Sequence, residues 1–177
     1  ILQDNYDNYG KSEPVLNRYL RDLLRAMGYR ISDQPESGAS ATKEGPGRPD
    51  LIVNFENSAS NVLIEPLRIT GCGRVDAKNW DDHLKKMVDN YNSSGYRMMV
   101  LVSYVTCTKK YFPKVDNFYY ERMRKESPTG GIGKPEQCKP VRDERISDLI
   151  RITRAEYYST GYSPTIFHFL IHIQKTE

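Results

Sequence analysis

The chain has 177 residues, a formal net charge of only +3 and three widely spaced cysteines. That length supports one domain with a buried core, and the small net charge excludes nucleic-acid binding by global charge, so any such contact needs a local basic patch. No apolar run is long enough to span a bilayer, no secretory signal opens the chain, and Cys72, Cys107 and Cys138 form no C-x-x-C pair, which argues against structural zinc and points to free thiols in a reducing, cytoplasmic compartment.

Residues 1–11 read as a polar lead-in, and the start at Ile1 fits a segment of a longer protein. Ser12 is a good N-cap, and Pro14 is tolerated in a first turn. Val15, Leu16, Tyr19, Leu20, Leu23, Leu24 and Met27 follow helical spacing, and Gly28 stops the helix. Glu13 in its first turn complements the helix dipole. Tyr29–Ser32 fits a short strand, and residues 33–47 form a Pro/Gly/Ser-rich loop that carries Lys43. Two apolar runs, Arg48–Phe55 and Asn61–Thr70, flank turn chemistry at Glu56–Ser60 and predict a β-hairpin.

Beyond Gly71-Cys72-Gly73, an apolar helical stripe runs through Trp80, Leu84, Met87, Val88 and Tyr91, with Asp81 and Asp82 expected in the first turn and Lys78, Lys85 and Lys86 off the stripe. Arg97–Val105 is almost continuously apolar, as suits a strand buried on both faces. Lys109–Lys125 interleaves basic and aromatic residues. Lys109, Lys110 and Lys114 can hold phosphates and Tyr111 can stack on a base; the plain alternative is that the aromatics pack and Asp116 and Glu121 dilute the charge. Thr129–Lys134 is glycine-rich, but Pro135 breaks the P-loop pattern, so it reads as a loop. Residues 141–158 suggest a helix with Ile146, Leu149, Ile150 and Tyr157 inward, and Thr165–Gln174 a last strand. His168 and His172 share one face of that strand, where packing is the expected role.

The hairpin carries the chemistry. A turn centred on residues 57–58 sets Asp50 opposite Glu65 and Arg48 opposite Leu67. Facing Cβ atoms lie roughly 4.5–5.5 Å apart, and two carboxylates that close repel unless a proton or cation lies between them. Pro49-Asp50, the hairpin and Glu65-x-Leu67 together resemble the PD-(D/E)XK, or restriction-endonuclease-like, nuclease superfamily. The resemblance covers residues 12–105, in the order helix, three strands, helix, strand. It implies a three-layer α/β/α-type sandwich around a mixed β-sheet, with residues 106–177 as a C-terminal elaboration of the same single domain. It also implies Mg²⁺ or Mn²⁺ held by Asp50, Glu65 and the carbonyl of Pro66, with DNA or RNA as substrate, and it offers Glu13 as the first-helix acidic residue that the family often sets near its site, beside its role at the helix dipole.

Two residues depart from that pattern. Leu67 stands where the family has lysine, and Pro66 removes a ladder donor. Arg48, Lys43 or a lysine on the second helix (Lys78, Lys85 or Lys86) is the expected substitute cation, with the reservation that Arg is a poor proton acceptor. Arg68 is expected on the opposite face from Glu65. Two functional expectations follow: a metal-dependent nuclease acting on phosphodiester bonds, or a catalytically inactive nuclease-fold module that binds nucleic acid or other subunits in a larger assembly.

Overall fold

A computed structural model describes residues 12–33, 50–55, 61–90, 96–125, 135–141, 147–157 and 163–173. Among these described residues, three α-helices and a seven-stranded mixed sheet make an α/β fold. The elements are α1 (Glu13–Ala26), β1 (Arg30–Asp33), β2 (Leu51–Asn54), β3 (Asn61–Ile69), α2 (Arg74–Lys85, continued by a π-helical turn at Lys86–Asn90), β4 (Met98–Val105), α3 (Phe112–Lys125), β5 (Gln137–Pro140), β6 (Ile150–Glu156) and β7 (Thr165–His172). The sheet order is β1-β2-β3-β4-β7-β6-β5. The two central pairings, β3–β4 and β4–β7, are parallel, and the flanking ones are antiparallel.

Side-chain alternation divides the core in two. Leu63, Leu67 and Ile69 of β3 pack with Trp80, Leu84 and Met87 of the second helical segment and with Phe112, Val115 and Tyr119 of α3. Val62 and Ile64 pack on the other face with Leu51, Val53, Tyr104 and Leu16 of α1. Helix α1 therefore covers one face of the sheet, and α2 and α3 cover the other. Gly28, at a φ of +89°, terminates α1 in the left-handed conformation that favours glycine.

The hairpin register is the expected one: Leu51 pairs with Ile64, Ile52 with Leu63 and Val53 with Val62. One step further along the same register sets Asp50 against Glu65. Glu65 lies on the α2 face, because Ile64 belongs to the α1 face; Asp50 lies just before β2, where its charge is felt by Glu65 and by Tyr104. Pro66 is accommodated for a local reason. The Arg68 N–H donates to Glu13 Oε2 at 3.0 Å, so it points away from β4. Backbone polar groups two residues apart point the same way, so the missing Pro66 donor falls on the same side, past the last β2–β3 pair among the described residues. The Pro66 carbonyl opens to that side as well.

Several expectations are corrected. Helix α2 starts at Arg74, so Asp81 and Asp82 sit in its interior rather than its first turn; Asp82 pairs with Lys78, and Asp81 pairs with Arg122. Residues 150–156 form strand β6, not part of a helix. Thr153, Ala155 and Tyr157 are buried at alternate positions, and β-branched Ile152 and Thr153 suit an extended strand paired with β7. Strand β5 and helix α3 complete the C-terminal part. Lys43, Arg48, the hairpin turn, Tyr91, the 129–134 segment, Ile146 and Gln174 lie outside the described residues. None of the described helices is long and apolar enough to cross a membrane.

Candidate functional site at the hairpin acids

Strand β3 places Glu65 in the middle of the sheet, only 1% exposed. Its Oε1 lies 2.9 Å from His83 Nδ1, at hydrogen-bond distance, and 3.7 Å from Lys86 Nζ. Both partners come from the second helical segment, three residues apart and so on one flank. Lys86 opens the π-helical turn, a wide turn that recurs at functional sites. Its ammonium remains partly exposed, so it faces the acid and solvent together. Glu65 Oε2 is buried and has no hydrogen-bond partner among the described residues.

Asp50 enters from the start of β2, half-buried. Its carboxyl is pushed up from 3.8 to about 6, first by burial and then by the negative charges of Glu65 and Glu13; Lys86 and His83 oppose the rise. Asp50, Glu65, Glu13, Lys86 and His83 therefore share one electrostatic neighbourhood. Glu13 does more than complement the helix dipole. By accepting the Arg68 N–H it ties the start of α1 to the unpaired edge of β3. Arg68 is on the face opposite Glu65, as alternation requires.

The neighbourhood sets three carboxyl groups, Asp50, Glu65 and Glu13, against the Lys86 ammonium and His83, both of which lie on the Oε1 side of Glu65. A buried carboxylate oxygen without a donor and a neighbouring carboxyl held near 6 are the two signs of an acid pair that wants a proton or a cation between its members. The donor set suits a hard divalent ion: two carboxylates and the Pro66 carbonyl are all oxygen. Among the described residues, no group of three or more His, Cys, Asp or Glu side chains gathers as a metal cluster.

Leu67 is fully buried in the core shared with α2 and α3, so position 67 contributes packing and no charge. Of the three α2 lysines, Lys78 and Lys85 are solvent-exposed and Lys86 reaches Glu65. The expectation of a cation on the second helix thus meets one residue, Lys86. His83 was not among the residues singled out from sequence. Its spacing from Lys86, on the border of the Trp80–Leu84–Met87 stripe, is the signal that could have found it.

Lys109 and Lys110 are exposed in the turn before α3, and Lys114 is exposed on its first turn with Nζ 5.2 Å from the centre of the Tyr111 ring. Tyr111 is half-buried against the core, while Phe112 and Tyr119 are fully committed to packing. A cleft of about 330 Å³ beside α3 is lined by Cys72, Lys114, Phe118, Arg122 and Lys125 among others, and it does not include the acid pair. His168 and His172 do share a face, and both are core residues. His168 Nε2 meets the Tyr157 hydroxyl at 3.2 Å, and burial pushes its pKa down to about 3. His172 Nε2 meets the Cys107 carbonyl at 2.8 Å.

Compared with family models, with curated proteins and with solved structures, the chain finds no match.

Proposed function

We propose that the chain is a metal-dependent nuclease domain of the restriction-endonuclease-like kind, acting on the phosphodiester bonds of DNA or RNA. One observation carries the reading: the unpartnered, buried Oε2 of Glu65 beside a half-buried Asp50 whose carboxyl is held near 6. The order α1, β1, β2, β3, α2, β4 supports it, since it is the order of the resembled family's core.

Asp50, Glu65 and the Pro66 carbonyl are the groups that would hold Mg²⁺ or Mn²⁺. Such an ion, when bound, polarises a phosphate oxygen and lowers the pKa of its water. Lys86 takes the place of the absent family lysine: its ammonium, 3.7 Å from Glu65 Oε1, is close enough to serve a phosphate oxygen at the same acid. Glu13 fixes the edge of β3 from which the Pro66 carbonyl projects. Lys109, Lys110 and Lys114 hold the nucleic-acid backbone away from the acids.

A second reading, a nuclease-fold module without turnover that binds nucleic acid or other subunits, is favoured by one specific feature. His83 and Lys86 already face Glu65 Oε1, and Leu67 is ordinary core. Cleavage assays on single- and double-stranded DNA and RNA with Mg²⁺ or Mn²⁺ separate the two. The nuclease reading expects cleavage that Glu65→Gln abolishes and Lys86→Met lowers by about 10²–10³-fold, the usual loss of one transition-state donor. Absence of metal-dependent cleavage on all four substrates supports the module.

A further inference from the structure

We infer that His83 is a positioning residue: it holds Glu65 in the single orientation that leaves Oε2 free as a metal ligand. The inference rests on reading Glu65 as a ligand and adds a residue that the family resemblance does not supply.

The geometry is that of a one-sided clamp. A carboxylate only accepts hydrogen bonds, so the 2.9 Å contact requires the proton on His83 Nδ1. Both partners are shielded, with side-chain exposures of 14% for His83 and 1% for Glu65. A hydrogen bond to a charged group in such surroundings is short, directional and stronger than its solvent-exposed equivalent. It occupies Oε1. Oε2 is left buried and without a donor. A glutamate has three side-chain torsions, and a buried one with no anchor would turn to satisfy both oxygens; the imidazole prevents this by fixing one of them. The ring is itself held on a helix whose neighbouring residues Trp80, Leu84 and Met87 are buried against β3 and β4. Lys86 cannot do the same work. At 3.7 Å, with a side chain 43% exposed, its ammonium is a freely rotating point charge rather than a directional donor.

The test uses the full chain and two measurements. The first is long-range ¹H–¹⁵N NMR on the metal-free protein, which reports which ring nitrogen of His83 carries the proton. The inference expects Nδ1–H. A ring protonated only at Nε2 overturns it, whatever the protein does with metal. The second is Mn²⁺ binding by calorimetry to the wild type, His83→Asn and His83→Gln. The amide N–H of Asn falls where Nδ1 was, and that of Gln falls where Nε2 was. His83→Asn is therefore expected within about 3-fold of the wild type, and His83→Gln about 10–100-fold weaker, the usual cost of losing a partner that orients a ligand. Equal affinity in all three overturns the positioning role and leaves the metal reading intact. No Mn²⁺ binding by the wild type overturns both.

Discussion

Asp50→Asn should stabilise the protein at neutral pH, and the gain should vanish in acid. The folded state binds the Asp50 proton more tightly than the unfolded chain, because the carboxyl is raised from 3.8 to about 6. A raised carboxylate pKa contributes stability only while the group is protonated. That contribution is complete below about pH 4 and is lost as pH rises through 6, where the folded protein must carry a half-buried charge beside Glu65 and Glu13. Two pKa units correspond to about 3 kcal/mol. Asp50 retains contact with solvent, so screening reduces this to about 1–2 kcal/mol. In a domain of this size each kcal/mol moves the midpoint by roughly 2–4 °C. Thermal melts at pH 7.5 in chelator should therefore place Asp50→Asn roughly 2–8 °C above the wild type, with the difference shrinking toward zero by about pH 4. Saturating Mg²⁺ should narrow or reverse the order, since a ligand at 100 times its Kd adds about 2.7 kcal/mol to the protein that binds it. If Asp50→Asn lowers the midpoint at pH 7.5, or the difference does not change with pH, then Asp50 is satisfied by a partner in the native state and the argument for a missing cation fails.

Leu67→Lys should not restore a family-type site but destabilise the fold by several kcal/mol, because Leu67 is fully buried and its replacement sets an ammonium in the core; chemical denaturation measures this, and a midpoint unchanged from the wild type would show that the position opens to the site. Neutralising Lys109 and Lys110 together should lower nucleic-acid affinity and flatten its salt dependence by a slope of about one to two, measured by fluorescence anisotropy between low and physiological salt; an unchanged slope would return these lysines to a solvated face. His168→Gln should leave the pH dependence of any activity unchanged while lowering stability, because His168 is buried and its pKa is held down to about 3, far from neutrality; a shifted profile would give it a role at the site.

The hairpin was legible because its pattern is local. Alternating apolar runs and a polar turn leave few registers, and a slip of one residue would turn Leu63 and Leu67 out of the core. Helix α1 was legible for the same reason, through Leu16, Leu20 and Leu24 and the stop at Gly28, although Tyr19 and Met27 of the expected stripe are exposed. The first turns of α2 were not, since Arg74–Asn79 contributes only Ala77 to the buried side and the stripe begins at Trp80. Strand β6 was misread because Ile146, Leu149, Ile150 and Tyr157 satisfy helical spacing; small Ala155 and polar Thr153, which carry the two-residue period, have weak hydrophobic signals. At the site, the β2–β3 register was legible, and its last described pair, Leu51 with Ile64, stands one step before Asp50 and Glu65. The resemblance offered Glu13 for the site, but neither its bond to the Arg68 N–H nor the place of His83 was readable, because these contacts span 55 and 18 residues and no periodicity encodes them. Lys86 stood among three candidates, and only its closeness to Glu65 separated it from Lys78 and Lys85.

The most direct measurement is Mn²⁺ titration by calorimetry into the full chain, with Asp50→Asn and Glu65→Gln alongside. The account predicts one saturable site in the wild type, lost in both variants while their folded spectra are kept. A wild type that takes up no Mn²⁺ at millimolar concentration, or variants that bind as well as it does, would contradict a metal site between these two acids.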